Sequence, residues 1–128
     1  MYCLNFSSME VIVKSADSQY DSSIINYYII MGLDRAKSME SINDTKAVHL
    51  RIYNTLLNTM CDTCLPINWR EVCYTYLERM MPLFSTIYND HDFKKYRNEL
   101  NILYMYFCKT EHQLIKYCYS FEIKNRQI

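Results

Sequence analysis

The chain has 128 residues, 14 basic and 14 acidic side chains, and a single glycine. That length supports one domain with its own core, and zero formal net charge gives no general attraction to nucleic acid or to an acidic membrane surface. One glycine rules out phosphate loops and dinucleotide fingerprints, which need several at fixed spacing, and leaves few residues for tight hairpin turns, so an all-helical chain is expected.

Residues 1–20 open with MYCLNFSSMEVIVKS, which has neither a basic leader nor a continuous apolar stretch and does not read as a signal peptide. The six cysteines are therefore expected to be reduced thiols, mostly buried, in a cytoplasmic setting. Val11-Ile12-Val13 fits a short extended stretch or a packed arm, and Lys14–Tyr20 a flexible polar link. Ser22 or Ser23 can cap a helix beginning at Ile24. Ile24, Ile25, Tyr28, Ile29 and Met31 make that helix apolar almost all round, as for one held between neighbours. Gly32-Leu33-Asp34 either closes it or carries it on into Arg35–Ser41.

Asn43-Asp44-Thr45 is a cluster of capping residues. The helix that follows presents Val48, Ile52, Tyr53, Leu56, Leu57 and Met60 on one face, with Lys46, Arg51, Asn54 and Asn58 on the other. It is expected to end near Cys61–Pro66, because the residue before a proline is pushed out of helical backbone angles.

Ile67–Tyr88 has the longest helical stripe. Trp69, Val72, Cys73, Tyr76, Leu77, Met80, Leu83, Phe84 and Ile87 recur at three- and four-residue steps, with polar residues in most gaps. Asn68 and Glu71 have the spacing of a capping box. Pro82 lies inside the stripe, where it removes a backbone donor and crowds the carbonyl four residues back, so a kink or break is expected there.

Asn89-Asp90-His91-Asp92 supplies caps for a further helix with the stripe Phe93, Tyr96, Leu100, Leu103, Tyr104 and Phe107; Ile102 and Met105 make it nearly apolar all round. Thr110-Glu111-His112-Gln113 is a second capping box, starting a helix that would present Leu114, Ile115, Cys118, Phe121 and Tyr119. No apolar run approaches the ~20 residues of a membrane-spanning helix. Five to seven helices with short links imply a compact helical bundle spanning 1–128, with 1–20 as a flexible or packed arm.

Chemistry-bearing patterns are few. Cys61-x-x-Cys64 with Cys108 and His112 can be written as a zinc set, but the capping box at Thr110 puts Cys108 and His112 on different helices. Small residues packing at a tight turn account for the pair more simply. His91 sits among Asp90, Asp92 and Asn89, which suits a solvated helix start, and no serine lies in a nucleophile elbow. No enzyme and no cofactor are expected. Aromatic residues are not interleaved with basic ones, as a single-strand nucleic-acid platform would require.

One stretch does carry a resemblance. Asn68-Trp69, followed by charged residues and then Val72-Cys73-Tyr74, resembles the first homology segment of the Bcl-2 family, where Asn-Trp-Gly-Arg opens the central helix beside a groove for a partner's amphipathic helix. The helix, corner and Asn-Trp succession extends it over about Thr45–Leu77. The family's glycine position holds Arg70 and its arginine position Glu71, so either Arg70 turns to pair with the ligand's aspartate or that pair is missing and the ligand range is narrower. The short length, absent anchor and divergent motif resemble the viral branch. That resemblance implies a Bcl-2-like bundle with a central helix from near Asn68. It further implies an apoptosis inhibitor that sequesters BH3 helices of pro-apoptotic host proteins in the host cytoplasm, with recruitment to mitochondria through those partners. The implied groove is lined by Leu57, Met60, Cys73, Tyr74 and Leu77, with the Asn68–Trp69–Arg70 corner at its polar side. An alternative is a viral immunomodulator of the same fold that binds innate-signalling adaptors through outer helix faces; another is a small zinc-stabilised binding protein. A second copy could cover residues 1–20 and the tyrosine-rich faces.

Overall fold

The structure, a computed structural model, describes residues 4–109. Five α-helices follow one another: α1 Phe6–Ser15, α2 Ser23–Lys37, α3 Ile42–Met60, α4 Ile67–Ile87 and α5 Asp90–Tyr104, the last passing into a π-helical turn at Met105–Lys109. No strand occurs among the described residues. The expected helix from Thr110, with Leu114, Ile115, Cys118, Tyr119, Phe121 and His112, lies outside them.

Residues 6–15 form a helix rather than an extended stretch. Phe6, Met9, Ile12 and Val13 are spaced three, three and one apart, which puts all four on one helical face, and all four are buried. Val11 points outward, 65% exposed. Asn5 caps this helix, its side-chain oxygen accepting from Ser8 N at 2.8 Å. The helix ends at Ala16, whose φ of 48° places it in the left-handed region.

Ser22 is the N-cap residue of α2, as expected, but the side chains that bond the first turns of α2 and α3 stand just upstream of the expected ones. Asp21 accepts from Ser23 N at 2.9 Å ahead of α2, and Ser41 accepts from Asp44 N at 3.1 Å to cap α3. Asn89 caps α5 through Asp92 N at 2.8 Å, as its position before the acidic pair suggests. The capping box expected at Asn68 and Glu71 does not form. The helix begins two residues earlier than a cap at Asn68 sets, with Pro66 as its N-cap and no side-chain cap, which leaves Asn68 inside the first turn. Nor does Pro82 break α4, which runs through it. Met80, Met81 and Phe84 are buried on either side and hold the turn in place.

The packing order follows the stripes. α3 and α4 share the most extensive contact, α2 lies against α3, α1 covers both α2 and α3, and α5 packs on α4. Buried side chains from all five helices merge into one continuous core. The single glycine serves close approach. A Cβ on Gly32 would stand 2.5 Å from Ile52 Cδ1 and 2.8 Å from Phe6 Cε2, so α2 meets α3 and α1 at a spot with no room for a side chain.

Polar ties fasten the helices at their flanks. Glu10 on α1 accepts from Tyr28 at 2.6 Å, from Arg51 Nε at 3.0 Å and from Thr55 at 3.3 Å, joining three helices. Burial pushes its carboxyl up, but these donors outweigh that and hold it below the ordinary carboxylate value. On the other side, Tyr53 donates to Glu99 at 2.9 Å and Arg97 pairs with Glu78 at 2.6 Å, tying α5 to α3 and α4.

His49 on α3 is 5% exposed, stacks 6.4 Å from Phe84, and its Nδ1 has no hydrogen-bond partner among the described residues. Loss of hydration holds its pKa below the ordinary 6.5. The unfolded chain then takes up a proton more readily than the folded one, so stability is full above that value and falls as pH drops below it. In paired denaturant melts at descending pH, His49→Phe removes this part of the loss, leaving a flatter profile than the parent's.

Candidate functional site

The leading end of α4 is where two neighbouring side chains each close off another helix. Trp69 is 8% exposed, and its indole Nε1 donates to Val13 O at 3.0 Å, satisfying a carbonyl in the last turn of α1. Arg70 is fully buried. Its Nε donates to Met60 O at 2.8 Å, the carbonyl that ends α3, and its Nη2 donates to Phe107 O at 2.6 Å in the π turn. A cation at the negative end of a helix is favourable in itself. Cys108, also buried, approaches the same Met60 carbonyl at 3.5 Å.

Beside this corner the chain leaves a cleft of about 310 Å3, at the low end of the usual size of ligand sites. Asn68, Trp69 and Val72 form one wall, with Pro66 at its foot; Ala16, Ser18, Tyr20 and Ser22 from the α1–α2 link form the other. The left-handed Ala16 turns that link across the end of α1. Asn68 is exposed on the rim.

The residues expected to line a groove divide three ways. Asn68 and Trp69 border the cleft. Leu57, Met60, Cys73 and Leu77, together with Arg70, lie in the core between the helices. Burial pushes the Cys73 thiol up to about 12, and such a thiol is inert. Tyr74 turns toward α5, where its ring stacks on Tyr104 at 3.6 Å. Glu71, at the family's arginine position, accepts from the Tyr104 hydroxyl at 3.0 Å. The Asn68–Glu71 turn thus reaches α1, α3, the π turn and α5 at once. Spacing alone misses this, because it shows which residues share a face and not which partner that face meets.

Of the zinc set, Cys61 is half-buried at the end of α3, Cys64 is exposed in the corner, Cys108 is in the core, and His112 lies outside the described residues. Among the described residues no group of three or more His, Cys, Asp or Glu side chains is placed to hold a metal ion. No described helix is long and apolar enough to cross a membrane. Comparison with family models, with curated proteins and with solved structures returns no match to this chain.

Proposed function

We propose that this protein is a helix-binding module that captures an amphipathic BH3-type helix at the α4 corner, and so acts as an inhibitor of apoptosis in the manner of the viral Bcl-2-like proteins that Asn68-Trp69 resembles. The observation that carries the reading is the cleft itself. The sole tryptophan leads a helix packed between α3 and α5, and it stands at a channel rather than sealed from one. Helix-in-groove recognition needs an apolar wall with polar groups at its edge, which Trp69, Val72 and Tyr20 with Asn68 and Ser22 provide. Because Leu57, Met60, Cys73 and Leu77 lie behind that wall, an incoming side chain meets Trp69 and Val72 first. Arg70, engaged with two main-chain carbonyls, does not serve as the ligand's charge partner in this arrangement.

The test uses Trp69 as its own probe. BH3 peptides titrated into the protein are expected to change the tryptophan emission saturably, with heat released at the same stoichiometry. Val72→Lys, which puts a charge on the cleft wall, is expected to weaken binding by ~1–3 kcal/mol. A panel of BH3 peptides that leaves emission and heat unchanged at high micromolar concentration removes the reading. The same bundle would then be read as an immunomodulator that engages signalling adaptors through outer helix faces.

A further inference from the structure

The two walls of the cleft are held in different ways. Trp69 and Val72 stand on α4, whose first turn is bonded to the ends of α1 and α3. The facing wall is the link from α1 to α2, residues 16–22. Val13 and Ile24, just beyond it on either side, are fully buried. No side chain from 14 to 23 is buried. A segment so poor in buried contacts opens at a lower free energy than the helices that anchor it.

What holds the link down is local. Asp17 accepts from Gln19 N through its carboxylate and from Tyr20 N through its carbonyl, both at 3.0 Å, a turn that sets Tyr20. Tyr20 is half-buried against the core and is the one large apolar side chain of the link. The backbone bonds that join the link to α1, Ala16 N to Val13 O and Asp17 N to Ile12 O, are long at 3.4 Å. Ala16 itself has a φ of 48°, a left-handed conformation that alanine holds at a cost.

Size decides what the closed link admits. Two turns of helix, about 10 Å across and about 11 Å long, fill roughly 850 Å3. The cleft offers about 310 Å3, room for side chains and not for a helix body. A helix laid on Trp69 and Val72, with its axis ~8–10 Å from that of α4, needs the space where the link stands. We propose that residues 16–22 are a strap that pivots at Ala16, lifts Tyr20 out of the cleft to admit a helix, and closes when the cleft is empty. This rests on the helix-binding reading above and supplies its gate.

Trp69, the sole tryptophan, reports the strap without any ligand. Asp17→Ala removes the side-chain half of the turn and lies outside the cleft lining, so it alters the exposure of Trp69 only by moving the link. Acrylamide quenching of the free full chain is expected to rise about twofold or more in this variant, at a melting midpoint close to the parent's. In stopped flow, the association rate of a BH3 peptide with the parent is expected to level off at high peptide concentration, where strap opening limits it. Tyr20→Ala is expected to raise that ceiling about fivefold; a residue that only touched the ligand would change dissociation instead. Circular dichroism confirms that both variants fold. Equal quenching in the parent and Asp17→Ala overturns the strap even where peptide binds, and so does an association rate that Tyr20→Ala leaves unchanged. Quenching that rises while no peptide of the panel binds supports the strap and removes the BH3 reading.

Discussion

Arg70→Ala is expected to cost about 3–5 kcal/mol of folding stability, read as a lowered denaturant midpoint with little change in slope. The guanidinium is fully buried and donates to Met60 O and Phe107 O. Truncation takes those donors from the buried Met60 carbonyl and the half-buried Phe107 carbonyl, up to ~1–3 kcal/mol each, and adds a cavity where the side chain stood. Against a typical total of ~5–15 kcal/mol, that is a large share. Arg70→Lys is expected to recover only part of the loss, because one ammonium on a flexible stem does not reproduce a planar fork aimed at two carbonyls. A variant as stable as the parent, yet defective in peptide binding, would return Arg70 to the ligand site.

Phe84→Ala is the other large effect, about 3–5 kcal/mol. Phe84 is fully buried on α4, and its ring is the hub of an aromatic cluster: Tyr53 at 5.4 Å, Tyr88 at 5.4 Å, Tyr96 at 5.8 Å edge-on, and His49 at 6.4 Å. Those rings come from α3, the end of α4 and α5, so the cavity opens where three elements meet and relaxation on one side is resisted by the other two. Tyr88, whose hydroxyl burial pushes up to about 12, becomes accessible when the cluster loosens. Its phenol is therefore expected to titrate nearer the ordinary value in the variant, which ultraviolet absorbance follows. Unaltered melting would mean the rings repack to fill the space.

The two effects have a common origin in α4, and they bear on the proposed function. Trp69 and Arg70 hold the ends of α1 and α3, so the corner that borders the cleft is also the corner that assembles the bundle. A ligand seated there would find a wall fixed before it arrives, which lowers the ordering cost of binding.

Much of this architecture was legible along the chain. The stripe Val48, Ile52, Tyr53, Leu56, Leu57 and Met60 is buried as its spacing requires, and Ile67–Ile87 is the long helix that its periodicity describes. Other features were not. The first helix was obscured because Val11-Ile12-Val13 suits a strand locally, and its helical face becomes clear only when Phe6 and Met9 are counted with it. Pro82 has the chemistry of a helix breaker, yet packing at Met81 and Phe84 outweighs the single lost hydrogen bond.

The sequence by itself determined the helical class, four of the five described helices and which of their side chains share a face, because those follow from backbone period and from the near absence of glycine. Only the tertiary structure decided what each face meets. It sends Arg70 inward to two carbonyls, Tyr74 toward α5 and Trp69 to the rim of a cleft, though the three lie within six residues. It also covers the Leu100 side of α5 while leaving Ile102, Met105 and Tyr106 in the open. The reason is physical: a hydrophobic stripe has no preferred partner, and burial depends on which other stripe the chain brings opposite to it.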